Sequence, residues 1–248
     1  MEYRCSHLTK GDTYDQDIES DPFDAYMAAW QARYLSEVIP ELFPGVPPRY
    51  LDFACGTGRI TEVVAPMASS VTGVDVSRSM LTVAESKLPS ATFLEADLTR
   101  GPAELGPFDL VTAFRFFGNA DPELRTAALT ALNRLQPTGG ILVLNNHRNP
   151  RSVTNLLDRL RGEGALMDLT HPALRRLLDH HGYEVVAARP IGAWQVLTRL
   201  MLSAGRHPER EARLERIFDG ALLCHIAPDS VLVARKVAEA RKVPAGGA

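Results

Sequence analysis

The chain has 248 residues, 45% of them hydrophobic and 23% charged, with a net charge of −3. That suits one large domain with a sizeable core and offers no basic footprint for duplex nucleic acid. Three cysteines, Cys5, Cys55 and Cys224, are too few and too scattered for a disulfide framework or a zinc site, and no apolar run reaches the roughly 18 residues of a membrane span. With no secretory h-region at the N-terminus, the expectation is a cytoplasmic protein without a structural metal or a membrane partner.

Residues 1–20 read as polar and irregular. Asp21 then offers an N-cap with Pro22 at the first helical position, and Phe23, Tyr26, Met27, Trp30, Tyr34 and Val38 share one helical face. Pro44-Gly45-Val46-Pro47-Pro48 ends this unit, so 1–48 is a helical lead-in and 49–240 the main α/β domain. Tyr50 to Ala54 reads as a buried strand and Arg59 to Met67 as the start of a helix. Ser70 to Asp75 is a second strand ending on an acid, and Ser77 caps a helix that begins at Arg78 and stops at Leu88-Pro89. Ala91 to Ala96 is a third strand, followed by Asp97. Phe108 to Phe114 is a fourth, apolar nearly throughout, as a strand covered on both faces should be. Asp121-Pro122 opens a helix with Leu124, Ala128, Leu132 and Leu135 on one face, and Ile141 to Leu144 is a fifth strand.

Beyond 151 the pattern loosens. Ser152 to Arg161 reads as a helix, Gly162 and Gly164 interrupt it, and Thr170 caps another helix through His180. Tyr183 to Ala188 and Ser230 to Arg235 are the sixth and seventh strands. Between them, at about 192–228, lies a helical insertion. There Leu214, Ile217, Phe218, Ala221 and Leu222 form an apolar stripe, and Arg206 to Arg216 forms a solvated charged face. Residues 241–248 read as a frayed tail. The alternation predicts a doubly wound, mostly parallel, seven-stranded Rossmann-like sheet with helices on both faces. Its ligand should lie beyond the C-terminal strand ends, where the strand order reverses. Asp75, Asp97 and Phe114-Arg115-Phe116 all fall at such ends.

The stretch Leu51-Asp52-Phe53-Ala54-Cys55-Gly56-Thr57-Gly58-Arg59-Ile60 organises the chain. A hydrophobic approach, an acid and two glycines one residue apart read as strand, tight turn, helix, with backbone amides free to meet an anion or a carboxylate. Together with Gly73-Val74-Asp75-Val76-Ser77, Glu95-Ala96-Asp97-Leu98 and Leu135-Gln136-Pro137-Thr138-Gly139-Gly140, it resembles the class I S-adenosylmethionine (SAM) dependent methyltransferases. The last of these motifs carries one inserted residue. The resemblance covers residues 48–148 well and the rest in outline. Phe114-Arg115-Phe116-Phe117-x-Asn119 further resembles a bacterial branch that acts on small molecules.

That resemblance implies a set of roles. Ala54, Cys55, Gly56, Thr57 and Gly58 wrap the methionine part of SAM, and Asp52 orients the turn or meets the amino group. Asp75 accepts from both ribose hydroxyls, as a carboxylate does well. Val76 and Met80 pack on the adenine, Asp97 and the Leu98 backbone meet its edge, and Phe114 faces the sulfonium. For Tyr14, read from the residues alone, a place over the cofactor from the lead-in segment competes equally with a core or surface tyrosine. Arg115, Asn145 and Asn146 are candidate contacts to a small-molecule acceptor, and His147 is the candidate base for a protonated oxygen or nitrogen, with His171 behind it. Blander readings compete. A helix-start charge explains an acid such as Asp75, packing explains Trp30 and Tyr34, and a small buried filler explains Cys55. Two rival functions remain at this point. One is an NAD(P)-dependent oxidoreductase, for which Thr61 stands where the third glycine belongs. The other is a non-catalytic SAM-binding partner subunit. The oligomeric state is open, a homodimer included.

Overall fold

The computed structural model describes residues 11–101, 105–147, 149–160, 169–194 and 208–240. Cys5, Gly162, Gly164, much of the expected insertion and the 241–248 tail lie outside the described residues. Seven strands form one sheet: β1 (Arg49–Phe53), β2 (Ser70–Asp75), β3 (Thr92–Glu95), β4 (Leu110–Ala113), β5 (Ile141–Asn145), β6 (Tyr183–Ile191) and β7 (Asp229–Lys236). Their order is β3-β2-β1-β4-β5-β7-β6. The first five are parallel, and β7 runs antiparallel to both β5 and β6. The order reverses between β1 and β4, so the crevice above those two strands is where a ligand belongs.

Each strand serves two cores, because successive side chains point to opposite faces. Leu51, Val111, Leu142 and Leu232 face one side with Ala128, Leu129 and Leu132. Tyr50, Leu110, Val143 and Val233 face the other with Met27, Leu35 and Ile60. The first core is closed by α5 (Pro122–Leu135) and α7 (His171–His180), the second by α2 (Pro22–Leu42) and α3 (Arg59–Val64). Side-chain caps at helix starts among the described residues include Asp21, Ser77 on α4 (Arg78–Lys87), Asp121 and Thr170. These satisfy amide groups that a helix leaves unpaired.

Two expectations fail. Gly11–Ser20 is not irregular but a helix, α1. It carries little apolar surface of its own beyond buried Ile18, and it is held instead by Asp15. That carboxylate accepts from Thr57 Oγ1 at 2.6 Å and Lys87 Nζ at 2.5 Å. In the insertion before β7, α8 spans Pro208–Ile217 and stops, with Gly220 leading into a separate 3₁₀ turn at Ala221–His225. The expected continuous stripe is therefore broken, and Ile217 and Leu222 are 67% and 83% exposed. The charged face is not wholly solvated either. Glu215 is buried and accepts from the Tyr26 hydroxyl at 2.6 Å, the Gly192 amide at 2.7 Å and the Trp194 indole at 3.0 Å. Burial raises its pKa above the ordinary carboxylate value against the pull of those donors. A remaining helix, α6, covers Val153–Leu160.

Candidate active site

The chain leaves β1 through a turn that only small residues tolerate. Ala54 has φ 55°, Gly56 φ 55° and Gly58 φ 78°. A Cβ on Gly56 would meet nothing within 4 Å, so the space above that residue is open. The turn is fixed from below by Cys55 N donating to the Val74 carbonyl (3.1 Å) and Gly58 N to the Cys55 carbonyl (3.0 Å). Asp75, at the end of β2, holds it from the side. Its Oδ2 accepts from Gly56 N at 2.8 Å and its Oδ1 from Ser77 N at 2.9 Å. With two amides on its inner edges, the carboxylate keeps acceptor capacity for a diol.

Above the turn lies a cavity of about 780 Å³, mouth included. Tyr14, Ala54, Gly56, Asp75, Val76, Met80, Asp97, Leu98, Phe114 and Arg115 are on its walls. Asp97 Oδ1 accepts from the Thr99 amide at 3.0 Å, and its Oδ2 lies 3.1 Å from Arg100 Nε. Phe53, Ser77, Thr99 and Phe116 also line the cavity, and sequence reasoning had assigned none of them a ligand contact. Phe53 and Phe116 pack edge to face, ring centroids 4.8 Å apart. Arg115 adopts φ 55°, a left-handed backbone unusual for a non-glycine residue. Its amide donates to Asn145 Oδ1 at 2.6 Å, and its Nη2 lies 2.8 Å from Asp24 Oδ1. Open space over Gly56, a carboxylate presented beside it and apolar walls at Val76, Met80 and Leu98 fit a nucleoside.

Residues 51–140 match the family model described as a methyltransferase domain. An uncharacterized methyltransferase of Oceanobacillus iheyensis is 27% identical over 110 residues, 44% of this chain and 52% of that one. The ubiquinone/menaquinone biosynthesis C-methyltransferase UbiE of Campylobacter jejuni is 30% identical over 139 residues, 53% of this chain and 57% of that one. The fold is that of magnesium protoporphyrin IX methyltransferase from Synechocystis PCC 6803, crystallised with bound SAH. The two share a TM-score of 0.62 at 16% identity, over 94% of this chain and 97% of the other. Residues 51–140 are thus similar to a methyltransferase domain, within a fold shared with that enzyme. The chain spans about half the length of the curated relatives it matches.

Several expected contacts stand behind the cavity wall. Asp52 is fully buried, its Oδ2 accepting from Thr61 Oγ1 (2.6 Å) and its Oδ1 from Thr112 Oγ1 (2.8 Å). It braces α3 and β4 against β1 and is not among the residues lining the cavity. Burial pushes its pKa up to about 6 despite the two threonines. Cys55 is buried, and burial together with Asp52 and Asp75 holds its thiol well above the ordinary value. Thr57 turns to Asp15, away from the ligand. Gly58 is required by packing, since a Cβ there would sit 3.1 Å from Ala84 Cβ.

The acceptor-side expectations are corrected in the same way. Asn145 is fully buried and donates to Asp229, 3.0 Å to Oδ2. Asn146 is fully buried too, its amide set between the Leu169 carbonyl (3.2 Å) and the His171 amide (3.3 Å). Neither faces the cavity. His147, 6% exposed, has Nδ1 3.9 Å from Asp229 Oδ2. His171 is buried with Nδ1 3.5 Å from Ser230 Oγ, and burial, then His225, lowers its pKa to about 4. The partner that gathers Asn145 and His147 is Asp229, which no motif signalled. It became visible only once β7 was seen running antiparallel beside β5.

Proposed function

We propose that this chain transfers a methyl group from SAM to an oxygen or nitrogen of a small-molecule acceptor. The observation that supports this most is the convergence of Asp75, Asp97 and the Gly56 turn, from three different strands, on one cavity at the strand-order reversal. When bound, SAM supplies a methyl group on a sulfonium, already activated for displacement. On this reading Asp75 orients the ribose, Asp97 and the Leu98 backbone meet the adenine edge, and Val76 and Met80 hold its faces. Tyr14 covers the cavity from α1, excluding water. What remains is to bring an acceptor atom to roughly 3–3.5 Å in line with the leaving sulfur.

For an acceptor that carries a proton, the expected base His147 faces Asp229 and does not line the cavity, so positioning of the acceptor is the proposed source of rate. Burial alone would raise the Asp229 carboxyl, but hydrogen bonds from His147, Asn145 and Gln31 outweigh it and hold it below the ordinary carboxylate range. An ionised Asp229 fixes the imidazole and stabilises its protonated form. The relatives include a C-methyltransferase, so family membership does not choose the acceptor atom.

Incubating the protein with methyl-labelled SAM and a small-metabolite extract tests the reading. Protein-dependent label in a small molecule is expected. SAM binding without any transfer would favour a non-catalytic partner subunit. With the acceptor in hand, His147→Ala should leave kcat within a few-fold of the parent. A loss of about 10²-fold or more, with an altered pH profile, would instead mark His147 as the base.

A further inference from the structure

Arg115 follows β4 with φ 55° and lines the cavity, as do Phe114 and Phe116 on either side of it. A left-handed backbone is unfavourable for a residue with a Cβ, and it persists only where the surroundings over-determine it. Here they do. The Arg115 amide donates to Asn145 Oδ1 at 2.6 Å, and its carbonyl accepts from Asn119 Nδ2 at 2.6 Å. Its Nη2 lies 2.8 Å from Oδ1 of Asp24, in the first turn of α2. Burial would lower the guanidinium's pKa, but Tyr14 and Asp24 outweigh it and raise it.

Asn145 is itself held so that its oxygen faces Arg115. It is fully buried, and its Nδ2 donates to both oxygens of Asp229, at 3.0 and 3.2 Å. Asp229 is fully buried as well and accepts from Gln31 Nε2 at 2.7 Å. The chain after β4 also rests directly on the chain after β5, since a Cβ on Gly118 would sit 2.4 Å from the His147 carbonyl. The cost of a left-handed arginine is comparable with the net gain of one or two hydrogen bonds, so the two asparagines can decide which conformation prevails. A flip of residue 115 would re-aim the guanidinium away from Asp24 and disturb the rings of Phe114 and Phe116.

We propose that Asn145 and Asn119 are positioning residues that clamp Arg115 in its left-handed conformation, with Asp229 orienting Asn145. Arg115 and the phenylalanines beside it then present a formed wall to the ligand. The proposal rests on the SAM reading of the cavity and adds the residues, outside the cavity lining, that shape its wall after β4. Glycine takes a left-handed backbone without steric cost. Arg115→Gly therefore separates a conformational role of the asparagines from a general structural one.

The test is calorimetric titration with SAH of the parent, Asn145→Ala, Asn119→Ala and Arg115→Gly, and of each asparagine variant combined with Arg115→Gly. Either asparagine substitution alone should weaken SAH binding about fivefold or more. Added to Arg115→Gly, the same substitution should cost less than about twofold relative to Arg115→Gly itself. Asn119 is half-buried, so its pair of variants carries the test should the buried Asn145→Ala fail to fold. Parent-like SAH affinity in Asn119→Ala, or in a folded Asn145→Ala, overturns the proposal. So does an equal loss with and without Arg115→Gly, which would mark loosened packing instead of a held conformation. A parent that binds no SAH overturns the SAM reading of the cavity and the clamp's role in it, a result seen before any variant is compared.

Discussion

Asp75 serves the fold and the proposed ligand with the same carboxylate. Its two oxygens hold the amides of Gly56 and Ser77, so it is more than the surface acid its place in the sequence suggests. Asp75→Ala should raise the SAH dissociation constant roughly 10–100-fold, and also cost about 1–2 kcal/mol of stability as two amides lose their acceptor. Calorimetry and urea denaturation read the two effects separately. An unchanged SAH affinity would sink the ribose assignment. Asp52 behaves differently because it is sealed in. Its folded pKa stands at about 6, above the ordinary 3.8, with burial the main cause. A raised carboxyl pKa means the folded state holds its proton more tightly than the unfolded one. The stability this contributes is full below about pH 4 and is lost as pH rises through 6. The gap of roughly two units corresponds to at most about 3 kcal/mol. Urea midpoints measured from pH 4.5 to 7 should therefore fall in the parent relative to Asp52→Asn. Parallel curves would show that Asp52 ionises without penalty.

At the scale of elements, α1 is the informative case. Its sequence, Gly11 to Ser20, has no apolar period, and what makes it a helix on the cavity is tertiary. Asp15 is tied to Thr57, 42 residues away, and to Lys87, 72 residues away. No local pattern encodes such pairs. Asp15→Ala should loosen α1 and weaken SAH binding several-fold through Tyr14, while global stability changes by about 1 kcal/mol or less, as for half-exposed ion pairs. Faster amide exchange confined to 11–20 would show it, and exchange unchanged there would mean that α1 is held by other contacts. The strands and capped helices were legible because their signals are local. Asp21, Ser77, Asp121 and Thr170 each cap the helix they precede. The insertion before β7 escapes local reading for the same reason as α1. Glu215 looks like one charge in a solvated run, and only the arrival of Tyr26, Gly192 and Trp194 makes it a buried hub.

At the scale of the molecule, the acids at the rim were legible because the rule concerns strand ends, and strand ends can be counted in a sequence. Which way each end residue points was not. The residues after β2, β3 and β4 open onto the cavity, whereas Asn145 to His147 after β5 turn inward toward β7 and α7. The cavity thus draws together α1, which belongs to neither core, with the β1 turn and the ends of β2, β3 and β4. A ligand seated there should act as a cross-link among them. At a concentration of 100 times its dissociation constant, SAH should stabilise the protein by about 2.7 kcal/mol. The added amide-exchange protection should concentrate in α1, residues 54–58, 75–80 and 97–99, and the segment after β4. NAD should give neither effect, since the site is read as one that takes a nucleoside ending in a sulfonium. Protection spread evenly over both cores, or an equal response to NAD, would place the ligand somewhere other than this rim.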